Sequence, residues 1–256
     1  MLQNKKRNIY KSIIQSMVMD VAIMYSGGKD STYAIEYCQN KGWNIKYLIS
    51  IKPNRRDCYL YHFATVELTQ ELSKILGYKQ FYLPCTVADP EKEAQIVKEV
   101  VEKNKVDALV LGGIGLQETQ LKSLQKTLLP LKVEVFASHA GEDHEIIFRD
   151  MINKGYEIMI SQVAGDGLVN WLGKTITKEN FEDLKKDSIK YGFHLLFEGG
   201  FADSIVLSAP IFGNKKIILD EIEKVVEDKY CGHIIVKKLH IIEQPTIPYI
   251  RNNRFS

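Results

Sequence analysis

The chain has 256 residues, of which 45% are hydrophobic and 26% charged, and its formal net charge is +2 at pH 7. These values are typical of a soluble globular protein that holds one large domain or two small ones. The small net charge gives no overall attraction for nucleic acid, and no apolar run is long enough to cross a bilayer. We therefore expect no stable nucleic-acid partner and no membrane association.

The four cysteines are dispersed along the chain, at Cys38, Cys58, Cys85 and Cys231. None of them forms a Cys-x-x-Cys pair, so the sequence predicts neither a zinc ribbon nor a disulfide framework. Scattered cysteines are typical of a reducing compartment, and we expect a cytoplasmic protein.

Residues 1–16 form a basic segment that contains no acidic side chain. The segment lacks the long apolar core and the small-residue cleavage site of a signal peptide. We interpret it as an N-terminal extension. A basic arm that contacts RNA or a partner protein is the alternative.

The first predicted strand, Val18–Tyr25, leads into a glycine loop and then into a predicted helix at Ser31–Gln39. Backbone N–H groups point outward at such a helix start, and the helix dipole favours negative charge there. The order of strand, tight loop and helix therefore predicts an anion site.

The side chains of this loop suit phosphates and a metal ion. Gly27 permits a positive φ and the close approach of a phosphate, and Lys29 adds a positive charge. A carboxylate beside phosphates, here Asp30, is typical of a bridging Mg²⁺. The residues that we expect to contact the phosphates are Ser26, Gly27, Gly28, Lys29, Asp30 and Ser31.

Strands and helices alternate through the rest of the first half. Further strands are predicted at Ile45–Ile51, Gln80–Leu83, Ala108–Leu111 and Val133–Ala137, and helices at Phe63–Leu76, Glu91–Lys103 and Gln117–Leu128. This alternation predicts a parallel sheet that binds its ligand beyond the carboxyl ends of the strands. The glycine loop, Ser50 and Gly113 all lie at such ends, so we expect one nucleotide cleft with Ser50 near the adenine or in a purely structural role.

The second half predicts a smaller α+β unit. Its predicted elements are a strand at Glu157–Val163, a helix at Phe181–Tyr191, and antiparallel strands at Ser204–Leu207, Lys216–Glu223 and His233–Ile242. We expect an extension at 1–16, an ATP-binding domain at 17–130 and a substrate domain at 131–256. His139 and His144 superficially resemble a metal cluster, but no Cys/His pattern supports one, and we interpret their segment as a solvated loop.

Several motifs in chain order resemble one known family. The glycine loop matches the Ser-Gly-Gly-x-Asp-Ser signature of the PP-loop ATP pyrophosphatases. The later matches are Tyr59-Leu60-Tyr61-His62, Gly112-Gly113-Ile114 with Gln117, Gly167-Leu168, Trp171-Leu172-Gly173-Lys174, Glu198-Gly199-Gly200 and Ala209-Pro210. From about Met17 onward, the chain resembles the diphthine–ammonia ligase family, a branch of the PP-loop enzymes.

The resemblance implies a HUP-like PP-loop sheet with flanking helices and a smaller C-terminal α+β domain. It implies that ATP, Mg²⁺ and ammonium convert the carboxylate of diphthine, on translation elongation factor 2, to an amide. The reaction would pass through an acyl-adenylate and release AMP and pyrophosphate. A homodimer is compatible with the sequence, which does not determine the oligomeric state.

The resemblance also implies roles for single residues. Lys29 would screen the phosphates, Asp30 would hold Mg²⁺, and Glu198 would contact the acceptor or the ammonium. For Glu198, capping of the adjacent glycine turn is the alternative, and a structural role is the alternative for His62. The residues expected on the acceptor side are His62, Gln117, Glu198, Gly199 and Gly200.

The chain departs from the family pattern on that side. Where the family has Glu-Gly-Gly-Glu-Tyr-Glu-Thr, this chain has Glu198-Gly199-Gly200-Phe201-Ala202-Asp203-Ser204, and Phe201 cannot replace a carboxylate. Glu118 and Gln120 stand where the family has arginines, and Thr65 stands where it has asparagine. Two alternatives therefore stay open: the same adenylation of a tRNA base or small metabolite, and a nucleotide-binding protein that has lost catalysis.

Overall fold

The computed structural model describes residues 18–53, 65–86, 89–113 and 117–245. Its first sheet contains five parallel strands in the order β3-β2-β1-β4-β5. These strands are β1 (Asp20–Met24), β2 (Asn44–Pro53), β3 (Gln80–Cys85), β4 (Ala108–Leu111) and β5 (Glu134–Ala137). All five were predicted from the sequence, with small differences at their ends.

Helices follow the strands on both faces of this sheet. They are α1 (Lys29–Asn40), α2 (Thr69–Leu76), α3 (Pro90–Lys103) and α4 (Gln117–Leu128). Helix α1 begins two residues before the predicted start, which places Lys29 and Asp30 in its first turn. Helix α3 begins at Pro90 because the Asp89 side chain accepts hydrogen bonds from the N–H groups of Glu91 and Lys92.

The second sheet is antiparallel, as predicted. Its strands are β6 (Glu157–Ala164), β7 (Thr175–Ile176), β8 (Ala202–Ser208), β9 (Lys215–Val226) and β10 (Cys231–Glu243). They are ordered β7-β6-β10-β9, and β8 also pairs with β6. Helix α6 (Phe181–Tyr191) has the predicted bounds, whereas strand β7 and helix α5 (His144–Asn153) were not predicted.

One apolar core joins the two sheets. It contains Ile23 of β1, Ile35 of α1, Phe148 of α5, Ile160 of β6 and Ile205 of β8, all fully buried. A second core, on the other face of the first sheet, packs β2 and β4 against α3 and α4. Because the first core spans both sheets, the start of α1 packs beside β8. Across the described ranges, no helix has both the length and the apolar surface for a membrane crossing.

Candidate functional site

The glycine loop connects β1 to α1 at the carboxyl edge of the first sheet. Gly27 has a φ of +80°, a value that side-chain-bearing residues rarely adopt, and Gly28 is the N-cap of α1. The hydroxyl of Ser31 donates to the carbonyl of Gly28 at 3.1 Å and lies 3.2 Å from the hydroxyl of Ser26. The loop thus presents a helix N-terminus, an arrangement that receives anions.

Strand β8 supports this loop from the second sheet. The N–H of Val206 donates to the carbonyl of Gly27 at 3.0 Å, and the N–H of Lys29 donates to the hydroxyl of Ser204 at 3.3 Å. These bonds fix the loop relative to the second sheet.

Lys29 is buried, with only 3% of its side chain exposed. Its Nζ donates to the carbonyl of Leu196 at 2.7 Å and to Oδ2 of Asp30 at 2.8 Å. The same Nζ lies 5.4 Å from the ring centroid of Phe197. The ammonium group therefore joins the first turn of α1 to the loop that precedes β8.

Asp30 lies between Lys29 and a histidine that follows β5. Nδ1 of His139 is 3.7 Å from Oδ1 of Asp30, and the His139 ring packs edge-on against Tyr33 with centroids 4.7 Å apart. Burial lowers the pKa of His139 to about 4, although the Asp30 carboxylate raises it. The expectation of a solvated loop is wrong here, because His139 is fully buried beneath α1.

Gly112 and Gly113, after β4, approach the site from the other side. A β-carbon on Gly112 would lie 2.6 Å from the backbone nitrogen of Ser31, and one on Gly113 would lie 2.4 Å from Oε1 of Glu198. The absence of these side chains allows β4 to end directly against α1 and Glu198. The structure thus brings together the predicted residues Asp30, Gly113 and Glu198.

Glu198 lies in the loop between α6 and β8. Its N–H donates to Nδ1 of His194 at 3.3 Å, and Nε2 of His194 lies 3.1 Å from Nδ1 of His144. Phe197, just before Glu198, has a φ of +62°. His194 was not predicted from the sequence, where its only signal is its position four residues before Glu198.

The remaining predicted residues occupy different environments. Ser50 is buried, donates to the carbonyl of Tyr25 at 2.6 Å and accepts from Gln80 at 2.7 Å, so it supports the strand beneath the loop. Gly199 and Gly200 form an exposed turn with φ values of +91° and +82°. Gln117 begins α4, and His62 lies outside the described residues.

A cleft of about 620 Å³ opens beside the histidine pair. Its walls come from the start of α5, from α6 and from the loop before Glu198. The lining includes Glu142, His144, Glu145, Lys185, Phe193 and His194. Within the described ranges, no group of three or more His, Cys, Asp or Glu side chains is arranged to hold a metal ion by itself.

Both halves of the chain match described domain families. Residues 19–133 match the diphthamide synthase N-terminal domain, and residues 143–242 match the diphthamide synthase C-terminal domain. The diphthine–ammonia ligase of Homo sapiens is 31% identical over 81% of this chain and 85% of its own length. That of Rattus norvegicus is 30% identical over 92% of this chain and 100% of its own.

Among solved structures, a predicted subunit of a tRNA methyltransferase from Methanocaldococcus jannaschii aligns with 75% of this chain and 98% of its own. The TM-score is 0.37 and the sequence identity 17%. A likeness at this level carries no argument about function.

Proposed function

The chain belongs to the diphthamide synthase family, and we propose that it is the ATP-dependent ligase that amidates diphthine on translation elongation factor 2 with ammonium. In this proposal the enzyme adenylates the diphthine carboxylate, and ammonia then displaces AMP. The single observation that carries the proposal is the convergence of the glycine loop, Asp30, Gly113 and Glu198 at one edge of the parallel sheet.

The first step would join the acceptor to the nucleotide. A carboxylate oxygen attacks the α-phosphorus of ATP, the bond to the β-phosphate oxygen breaks, and pyrophosphate leaves. The N-terminus of α1 and the hydroxyls of Ser26 and Ser31 are placed to receive the negative charge of the phosphates. Lys29 would act from its fixed position between Leu196 and Asp30, both by its charge and by holding the loop.

Asp30 would hold the Mg²⁺. Its carboxylate is partly exposed, at 23%, and lies in the first turn of α1 beside the expected phosphates. This donor fits Mg²⁺, because that ion usually takes one or two protein carboxylates and completes its shell with phosphate oxygens and water. When bound, Mg²⁺ would supply neutralisation of the phosphate charge.

The second step would form the amide. Ammonia attacks the carbonyl carbon of the adenylate, and AMP leaves with the electron pair of the broken C–O bond. Glu198 is the proposed base, because a carboxylate attracts ammonium and accepts the proton that must leave before the nitrogen can attack. A second proton leaves the nitrogen as the tetrahedral adduct collapses to the neutral amide.

One departure from the family motif keeps other acceptors open. The ring of Phe201 packs beside Gly165, where a β-carbon would lie 3.0 Å from Cδ1 of that ring. An apolar side chain therefore stands where the family motif carries a carboxylate. The alternatives are the same adenylation chemistry on a tRNA base or small metabolite, and a nucleotide-binding protein without catalysis.

The deciding experiment is product analysis with ATP, Mg²⁺, ammonium and diphthine-bearing elongation factor 2. We expect AMP, pyrophosphate and the amide, each dependent on the acceptor. AMP formed only with another acceptor would show that the substrate is not diphthine but leave the adenylation chemistry in place. No AMP with any acceptor would overturn the ligase assignment. A Glu198→Gln variant, which keeps the side-chain size, serves as the control for the amide-forming step.

A further inference from the structure

Two histidines outside the proposed reaction form a chain of contacts that ends at Glu198. His144 opens α5, and His194 lies in the loop between α6 and β8. Their nitrogens are 3.1 Å apart, and the rings meet edge to face with centroids separated by 5.0 Å. The other ring nitrogen of His194 receives the N–H of Glu198 at 3.3 Å.

The directions of these hydrogen bonds follow from one fixed donor. The backbone N–H of Glu198 can only donate, so Nδ1 of His194 must accept and carries no proton. In neutral His194 the proton is then on Nε2, which donates to Nδ1 of His144. His144 in turn carries its proton on Nε2. In this arrangement each neutral ring therefore has one tautomer.

This chain supports a segment of unusual backbone conformation. Phe197 has a φ of +62°, which is costly for an aromatic residue unless its surroundings enforce it. Two anchors flank it: the Nζ of Lys29 on the carbonyl of Leu196, and His194 on the N–H of Glu198. The Phe197 ring is buried and stacks on Phe193 with centroids 6.3 Å apart.

We propose that His194 is a positioning residue that holds the Glu198 carboxylate against Gly113, with His144 fixing the tautomer of His194. The inference rests on the proposed function, in which Glu198 handles the ammonium. His194 acts through the backbone of Glu198 and need not touch the reactants. Loss of this anchor would let the strained turn at Phe197 relax and move the carboxylate away from β4.

The pair of variants His194→Asn and His194→Gln separates this role from a general structural one. The oxygen of an asparagine side chain reaches the place of Nδ1 and can accept from Glu198. A glutamine reaches the place of Nε2, so it meets His144 and leaves the N–H of Glu198 unsatisfied. Both replacements are polar and do not titrate. They differ mainly in the hydrogen bond that they restore, which is the bond to Glu198 for asparagine and the bond to His144 for glutamine.

We expect His194→Gln to lower kcat for the ammonium-dependent reaction by about 10- to 100-fold, the loss that a displaced catalytic group causes. His194→Asn should retain at least about tenfold more of kcat than His194→Gln. The KM for ATP and the acceptor-dependent exchange of pyrophosphate into ATP should change little in either variant, because the glycine loop is intact. Equal kcat values for the two variants would overturn the proposal.

The pH profile supplies a second readout. Burial and the neighbouring His144 lower the pKa of His194, and a proton on its Nδ1 would confront the N–H of Glu198. The charged groups facing the pair are Lys29, Asp30, Glu142, Asp143, Glu145, Lys185 and Glu198. In His194→Asn the acid limb of the kcat profile should lie at lower pH than in the wild type, because only the protonation of Glu198 then remains, and an unshifted limb would count against the proposal.

Should either His194 variant fail to fold, His144→Asn and His144→Gln repeat the comparison from the helix. The tautomers can also be read directly from imidazole ¹⁵N chemical shifts at neutral pH, without any substrate. We expect both rings protonated at Nε2, and a proton on Nδ1 of His194 would overturn the inference. A wild-type protein that makes no AMP would instead refute the proposed function, and the tautomer result would stand apart from it.

Discussion

Gly113 faces the carboxylate of Glu198 so closely that a β-carbon on residue 113 would lie 2.4 Å from Oε1 of Glu198. The end of β4 and the carboxylate therefore occupy adjoining space, and a β-carbon at residue 113 would fit only if the carboxylate moved. The contacting atom is the tip of a flexible side chain, which can move aside. The neighbouring Gly112 differs, because its β-carbon would meet the backbone of Asp30 and Ser31 at 2.6 Å.

Gly113→Ala should slow amide formation while leaving the fold almost unchanged. The added methyl group displaces the Glu198 carboxylate, and we expect kcat to fall by at least about tenfold. The free energy of unfolding should change by less than about 1 kcal/mol. Urea denaturation and initial rates at saturating ammonium test both values. Gly112→Ala is the matched variant, in which a backbone clash should lower stability and ATP affinity together; equal behaviour of the two variants would contradict this geometry.

Lys29→Met should destabilise the protein as well as inactivate it. The fold should suffer because the buried Nζ donates to the carbonyl of Leu196 and to the carboxylate of Asp30. Loss of the Nζ leaves the buried carbonyl of Leu196 without its donor, which costs about 1–3 kcal/mol and would be detected by urea denaturation. The control is Lys186→Met, which breaks an exposed 2.9 Å pair with Asp183 and should change stability by less than about 1 kcal/mol.

Asp30→Asn is the cleaner test of the metal site. The substitution keeps the side-chain size at a partly exposed position, and it removes the charge that we expect Mg²⁺ to need. ATP cleavage should be lost, and ATP affinity measured by calorimetry should no longer depend on Mg²⁺. Undiminished cleavage in this variant would remove Asp30 from the proposed site.

His139 should make the stability depend on pH in mildly acidic solution. Its pKa is about 4 in the folded protein and about 6.5 in an unfolded chain. The unfolded state binds more protons in this window, so stability falls as the pH drops from about 6.5 toward 4. The contribution of His139 is full above pH 6.5 and amounts to at most about 3 kcal/mol.

The measurement is urea denaturation at pH values between about 4.5 and about 7.5, which bracket this window. His139→Phe is the comparison, because it keeps a ring against Tyr33 and removes the titrating group. The difference between wild type and variant should grow with pH across the window. A parallel pH dependence of the two proteins would show that folding does not lower the pKa of His139.

Ser50→Ala tests whether this residue contacts the nucleotide or supports the strand. Its hydroxyl bonds to the Tyr25 carbonyl and to Gln80, so we expect a loss of about 1 kcal/mol of stability with little change in the KM for ATP. Gln80→Leu disrupts the same network and should behave alike. A large increase in the KM for ATP in Ser50→Ala, but not in Gln80→Leu, would instead indicate that Ser50 contacts the adenine.

The sequence predicted the first sheet well because its strands are short apolar runs between glycine-rich ends. It also predicted that the glycine loop and Gly113 would meet, since the carboxyl ends of parallel strands share one edge of the sheet. The place of Glu198 in the site could be predicted only from the family resemblance, because no local pattern connects a loop before β8 with the end of β4.

The burial of His139 and the start of α5 at His144 could not be predicted from the sequence. The segment from His139 to His144 is rich in Gly, Glu and Asp, and its polarity suggested exposure. Burial of His139 depends on Tyr33, a residue of α1 far away in sequence, and on the tertiary packing of β5. The start of α5 was missed for a similar reason, although Asp143 caps it by accepting the N–H of Ile146 at 3.0 Å.

The glycine loop is synthesised well before β8, the strand that supports it. The hydrogen bond between Lys29 and Ser204 spans 175 positions, and Val206 bonds to Gly27 just beyond it. A ribosome produces the loop long before the strand that completes it, and contacts of such long range form late in folding. An unfinished chain that ends before Ala202 would carry the loop without its brace, so we expect nascent or truncated chains to spend no ATP.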